Sequence, residues 1–127
     1  MASARILVVD DDPKFLHFVS ELLIGAGYDV HSAEEPLKVV EMTEALVPNL
    51  VILDISMPGK DGFQIARELR ASPKTKGVRC MFLTGHRAAT HVKHAKEAGG
   101  VAYLEKPLKS SSLLWMVKAL LGKARHK

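Results

Sequence analysis

The sequence predicts an α/β fold in which one parallel sheet of five strands alternates with five helices. Three observations lead there. First, short uninterrupted apolar runs, among them Ile6–Val9, Leu50–Leu53 and Val101–Leu104, have the length and composition of strands buried on both faces. Second, the segments between them show helical spacing and are bounded by Pro and Gly. Third, all three runs give way to charge, at Asp10-Asp11-Asp12, at Asp54 and at Glu105-Lys106. In a parallel sheet those positions share the C-terminal edge, where ligands bind.

Taken in order, Arg5 to Val9 reads as the first strand. Asp12 precedes Pro13, and Pro is favoured at the first helical position, so Asp12 is expected to cap the first helix. That leaves Asp10 and Asp11 without a local job; adjacent carboxylates repel, and a shared cation relieves them. Phe15, Leu16, Phe18, Val19, Leu22 and Leu23 recur at helical spacing, and Gly25 and Gly27 end the helix. Tyr28 to His31 is a partly polar strand, expected at a sheet edge. Pro36 opens the second helix, with Leu37, Val40, Ala45 and Leu46 as its apolar positions, and Pro48 stops it.

Asn49 to Asp54 is the central strand, the most apolar of the set, and Pro58, Gly59 and Gly62 force a loop after it. Asp61 can cap a third helix that carries Phe63, Ile65, Ala66 and Leu69, and Ser72-Pro73 breaks it. Val78 to Leu83 is the fourth strand, ending in Thr84-Gly85. The helix expected over His86 to Ala98 has Val92 as its only large aliphatic residue, with Ala88, Ala89, Ala95 and Ala98 as its other apolar positions, so it should be loosely held. Val101 to Leu104 is the fifth strand. Ser110-Ser111-Ser112 can cap a last helix, Leu113 to Leu121, too apolar for one buried stripe, so part of it is expected to be exposed as a partner surface.

Bulk properties narrow the function classes. The chain has 127 residues, 47% hydrophobic, which suits one domain with its own core. No apolar run approaches the roughly 20 residues that span a bilayer, and Met1 to Arg5 leads straight into a strand with no separate apolar targeting segment, so a cytoplasmic, membrane-free location is expected. The single cysteine, Cys80, lies in an apolar run and is expected to be a buried thiol. The net charge of +4 is uneven: beyond Glu105 there are six basic residues and no acid. Gly122 onward reads as a helix stop and a solvated basic tail over 123–127. With no aromatic or motif beside those charges, nucleic-acid binding is not expected from this chain alone.

Asp54 holds the most informative position. A carboxylate at the end of a buried strand costs free energy unless it is paired, hydrogen-bonded or liganded; the competing reading is a turn or cap acid. The Asp10-Asp11 pair, Asp54, Thr84 after an apolar strand, and Lys106-Pro107, in that order, resemble the receiver domain of bacterial response regulators over about Arg5 to Leu121. The resemblance implies a flavodoxin-like, doubly wound sheet of order 2-1-3-4-5, with the domain over 1–122. It implies that Asp54 is phosphorylated and that Asp11, Asp54 and the backbone carbonyl of Ser56 hold Mg²⁺ directly, with Asp10 acting through water. It implies that Lys106 and Thr84 bind phosphoryl oxygens and that Tyr103 turns inward on activation. Ser56 and His86 would tune the lifetime of the phosphorylated form. The donor would be a sensor histidine kinase or a histidine phosphotransfer domain, and an unknown downstream protein would bind the face formed by 86–121. Such a chain is not an enzyme toward other molecules; it catalyses its own phosphotransfer and autodephosphorylation. A non-signalling flavodoxin-like module that holds a cation and binds protein is the alternative.

Rival chemistries fit poorly. Haloacid-dehalogenase phosphotransferases carry a second Asp two residues after the nucleophile, and here that residue is Ser56. No Walker phosphate loop or G-x-G-x-x-G is present. His86, His91 and His94 fall on one expected helix, and a solvated face explains them better than a metal.

Overall fold

The computed structural model describes residues 3–85 and 100–122. Five strands, β1 (Arg5–Val9), β2 (Asp29–Ala33), β3 (Leu50–Asp54), β4 (Arg79–Thr84) and β5 (Gly100–Glu105), form one parallel sheet in the order β2-β1-β3-β4-β5. Four α-helices lie among the described residues: α1 (Pro13–Gly25), α2 (Val39–Leu46), α3 (Gly62–Ala71) and α4 (Ser110–Leu121). The helix expected over His86 to Ala98 lies outside the described residues, as does the tail at 123–127.

Strand alternation divides the core into two layers. On one face Leu7, Val9, Val51, Leu53, Cys80 and Phe82 pack with Val39 of α2 and Phe63, Ile65, Ala66 and Leu69 of α3. On the other, Ile6, Val8, Leu50, Ile52, Met81 and Leu83 pack with Leu16, Val19 and Leu23 of α1 and Leu113 and Val117 of α4. Every residue of β3 is buried, which is why its apolar run is continuous rather than alternating. β2 is at the sheet edge, where its polar residues can meet water. Burial pushes the Cys80 thiol up to about 12, so it stays protonated and inert.

The caps read from the sequence at Asp12 and Asp61 are present: their carboxylates accept the backbone N–H groups of Lys14 at 3.1 Å and Gln64 at 2.8 Å. Two local expectations are corrected. Pro36 opens a 3₁₀ turn over Pro36–Lys38, and the α-helix starts after it, at Val39. This shifts the helical phase, so Val39 and Thr43 face the core while Leu37 is 73% exposed. Thr43 is tolerated inside because its hydroxyl donates to the Val39 carbonyl at 2.7 Å. At α4, the serines do not cap: they form the first turn, and Lys109 stands at the N-cap without a side-chain bond. No helix among the described residues is long and apolar enough to cross a membrane.

Candidate functional site

Sheet register brings the charged strand ends together. Val9 pairs with Leu53, Asp54 with Leu83, and Thr84 with Glu105. The next residues after β1 and β5 are Asp10, which is level with Asp54, and Lys106, which stands two residues past Leu104, the β5 residue on that level. Lys106 Nζ lies 2.9 Å from Asp10 Oδ2 and 3.2 Å from Asp54 Oδ1. Asp10 is 1% exposed and Asp54 4% exposed, whereas Asp11 faces solvent.

The carboxylates are not equivalent. Asp10 uses both oxygens: Oδ1 accepts the Asp12 N–H at 2.9 Å, and Oδ2 takes the Lys106 ammonium. The sequence reading left Asp10 with no local job; it has one, as the brace between the β1–α1 turn and Lys106. Asp11 makes no hydrogen bond or ion pair among the described residues. Burial raises the Asp54 carboxyl to about 6, helped by the negative charges of Asp10 and Asp11 and opposed by the Lys106 ammonium. Burial also works against the charge on Lys106, but its hydrogen bond to Asp10 and the charges of Asp54 and Asp10 outweigh it, so its net direction is upward.

Asp10, Asp11 and Asp54 each offer an oxygen within 4.8 Å of the others. Three hard carboxylate oxygens, one on an exposed side chain, suit a small divalent cation that keeps part of its water, which is the coordination habit of Mg²⁺. A cation there would also relieve the repulsion that raises Asp54. Ser56 is exposed on the loop two residues past Asp54. Tyr103, on β5, is half-buried and packed against the α2–α3 side of the core. Thr84 ends β4 in register with Glu105. His86 lies outside the described residues.

Two residues at the site escaped the sequence reading. The Phe15 ring centroid lies 4.2 Å from Lys106 Nζ. The other is Gly62: a Cβ built there would stand 2.5 Å from the Asp54 carbonyl oxygen, so only glycine lets α3 start this close to the end of β3.

Residues 6–118 match the family model of the response regulator receiver domain. The chain is 33% identical over 119 residues to protein PilH of Pseudomonas aeruginosa, covering 94% of this chain and 98% of that one. It is 35% identical over 117 residues to the DNA-binding regulator RpaA of a Synechocystis strain, covering 92% of this chain and 48% of that one. The chain thus spans about half the length of such DNA-binding relatives. Among solved structures, the chemotaxis protein CheY4 of Vibrio cholerae superposes with a TM-score of 0.90 at 27% identity, covering 94% of this chain and 100% of that one. The receiver domain of the sensor histidine kinase PA1611 of Pseudomonas aeruginosa, described with a magnesium ion coordinated in its active site cleft, superposes at 0.86 with 26% identity, covering 96% and 100%. With the matched residues running from β1 into the last helix, the chain belongs to the response regulator receiver domain family of two-component signalling.

Proposed function

We propose that the chain is a phosphoacceptor switch that takes a phosphoryl group from a phosphohistidine onto Asp54. The observation that carries the reading is the Lys106 ammonium held between two buried carboxylates, 2.9 Å from Asp10 and 3.2 Å from Asp54. A structural ion pair needs one acid; a second acid beside it, raised to about 6, is an arrangement poised to receive more positive charge or a phosphoryl group.

Transfer would run in line. An Asp54 carboxylate oxygen attacks phosphorus, the P–N bond of the donor breaks, and its electron pair leaves on the imidazole nitrogen. The product is an acyl phosphate. With a pKa of about 6, Asp54 is roughly nine-tenths ionised at pH 7, so the nucleophile is available without a general base. Asp10, Asp11, Asp54 and the Ser56 carbonyl would hold Mg²⁺, which when bound supplies charge neutralisation for the transferring oxygens. Lys106 would exchange its Asp54 contact for a phosphoryl oxygen while keeping Asp10. Thr84 and Tyr103 are proposed as the switch pair, and Ser56 and His86 as the residues that set the lifetime. A histidine kinase or histidine phosphotransfer domain is the proposed donor. The proposed output face is 86–121, and within it Trp115 is 69% exposed.

Incubation with Mg²⁺ and acetyl phosphate tests the reading. Intact mass should rise by one phosphoryl group in wild type and not in Asp54→Asn. Mg²⁺ binding without any labelling of the wild type would instead favour a cation-holding module.

A further inference from the structure

We infer that the ring of Phe15 positions the Lys106 ammonium for phosphoryl recognition, an inference that rests on the phosphoacceptor reading of this site. Among the described residues, three groups surround Lys106 Nζ: Asp10 Oδ2 at 2.9 Å, Asp54 Oδ1 at 3.2 Å and the Phe15 ring centroid at 4.2 Å. Phe15 sits in the first turn of α1 and is half-buried, unlike Leu16 and Val19, which go fully into the core. Its neighbour Phe18 lies 6.3 Å away, tilted by 46°, on the solvent side. Phe15 packs against the edge of the core layer formed by Leu16, Val19 and Leu113. From that edge its ring also faces the cation, with Lys106 Nζ 4.2 Å from the centroid.

The chemistry favours an aromatic face over a third acid. The negative face of the ring attracts an ammonium without adding net charge. A further carboxylate would hold Lys106 as well but would repel the incoming phosphoryl oxygens. When the phosphoryl group arrives, Lys106 must release Asp54 and turn to a new oxygen. Its flexible four-carbon stem allows many positions, and each contact that persists through the exchange narrows them. Asp10 and Phe15 are the two that can persist. The ring also covers the ammonium, whose side chain is only 24% exposed, and so limits competition from water.

The test is the affinity for beryllofluoride at saturating Mg²⁺, with Mg²⁺ affinity and the urea midpoint measured on the same proteins. Phe15→Leu keeps an apolar side chain and removes the ring; it should weaken beryllofluoride binding by roughly three- to tenfold, the size of a partly exposed cation–π contact, while Mg²⁺ affinity stays within about twofold. Phe15→Tyr should restore the affinity. In a Lys106→Met background, Phe15→Leu should have no further effect, which a merely structural role would not produce. Equal loss from Phe15→Leu with and without Lys106, or an affinity that Phe15→Leu leaves unchanged when the wild type binds beryllofluoride and is labelled, would overturn the inference alone. A wild type that takes up neither beryllofluoride nor a phosphoryl group would overturn the functional reading, and this inference with it.

Discussion

Lys106 Nζ lies 3.2 Å from Asp54 Oδ1 although a whole strand, β4, separates the strands that lead to them. The contact spans the loop edge of the sheet and ties β5 to β3 where charge is most costly to bury. Removing the ammonium leaves Asp10 and Asp54 facing each other without compensation. Lys106→Ala should therefore raise the Asp54 carboxyl above its value of about 6 and destabilise the metal-free protein by about 1–3 kcal/mol. Carboxyl chemical shifts against pH and urea denaturation check the two parts. An Asp54 titration that stays in place would mean the ion pair does not govern this carboxyl.

The raised Asp54 carboxyl also predicts how stability depends on pH. Its ordinary value is 3.8, and in the fold it is about 6. Between those values the native Asp54 binds more protons than the unfolded one, so its contribution to metal-free stability falls as pH rises from 4 to 6 and stays lower above it. Two pKa units correspond to about 2–3 kcal/mol. Asp54→Asn should therefore be more stable than wild type at pH 7 without metal, by up to about that amount, with the gain disappearing near pH 4. Saturating Mg²⁺ should shrink the difference. Denaturant midpoints across this range measure it; a variant less stable than wild type at pH 7 would show that Asp54 contributes net stability when ionised.

Much of this was legible because it is local or periodic. Leu50 to Leu53 announces a doubly buried strand by composition alone, and Asp12-Pro13 and Asp61 announce caps because capping reaches only two or three residues along the chain. Leu37 was misjudged because a proline fixes where a helical segment begins but not whether its first turn is 3₁₀, and one turn of 3₁₀ changes which side chains face inward. The serines of α4 were misplaced because three equal candidates in a row give no way to select one. At the site, residue types at strand ends were visible, but the double use of Asp10 was not: its partner is 96 residues away and is supplied by register. Phe15 was hidden for a similar reason. Helical spacing reads the same whether a ring packs on the core alone or also reaches an ammonium at the core's edge.

The three consecutive acids after β1 should separate cleanly on mutation. Asp12 caps α1, so Asp12→Ala should cost about 1 kcal/mol and leave Mg²⁺ affinity nearly unchanged. Asp11 is exposed and has no partner among the described residues, so Asp11→Ala should change stability little and lower Mg²⁺ affinity at least tenfold. Asp10→Ala should do both, since it loses the brace to Lys106 as well as an acid. Calorimetric Mg²⁺ titration alongside urea unfolding gives all six values. Equal loss of Mg²⁺ affinity in the Asp11 and Asp12 variants would refute this division of labour.

Two glycines after β3, Gly59 in the loop and Gly62 at the start of α3, offer a final separation, between strain in the loop and displacement of the acceptor. Gly59 has φ +90° with open space around it, so Gly59→Ala meets only backbone strain, about 1–2 kcal/mol. Gly62 differs. A methyl group there would lie 2.5 Å from the Asp54 carbonyl oxygen, 3.2 Å from its carbonyl carbon and 3.2 Å from Ile55 Cα. All three are backbone atoms and cannot rotate away, and the Gly62 N–H is itself bonded to the Ile55 carbonyl at 3.0 Å. Relief requires α3 to back off β3 or Asp54 to move. Overpacking of this kind costs about 1–3 kcal/mol, so the two alanine variants should be destabilised by comparable amounts. Their effect on Asp54 should not be comparable. A shift of the Asp54 backbone by a few tenths of an ångström disturbs its 3.2 Å contact with Lys106 and its place beside Asp10 and Asp11. Labelling by acetyl phosphate, compared at temperatures where both variants remain folded, should slow at least several-fold in Gly62→Ala and stay near wild type in Gly59→Ala. Matching rates in the two variants would show that the close approach of Gly62 serves packing alone.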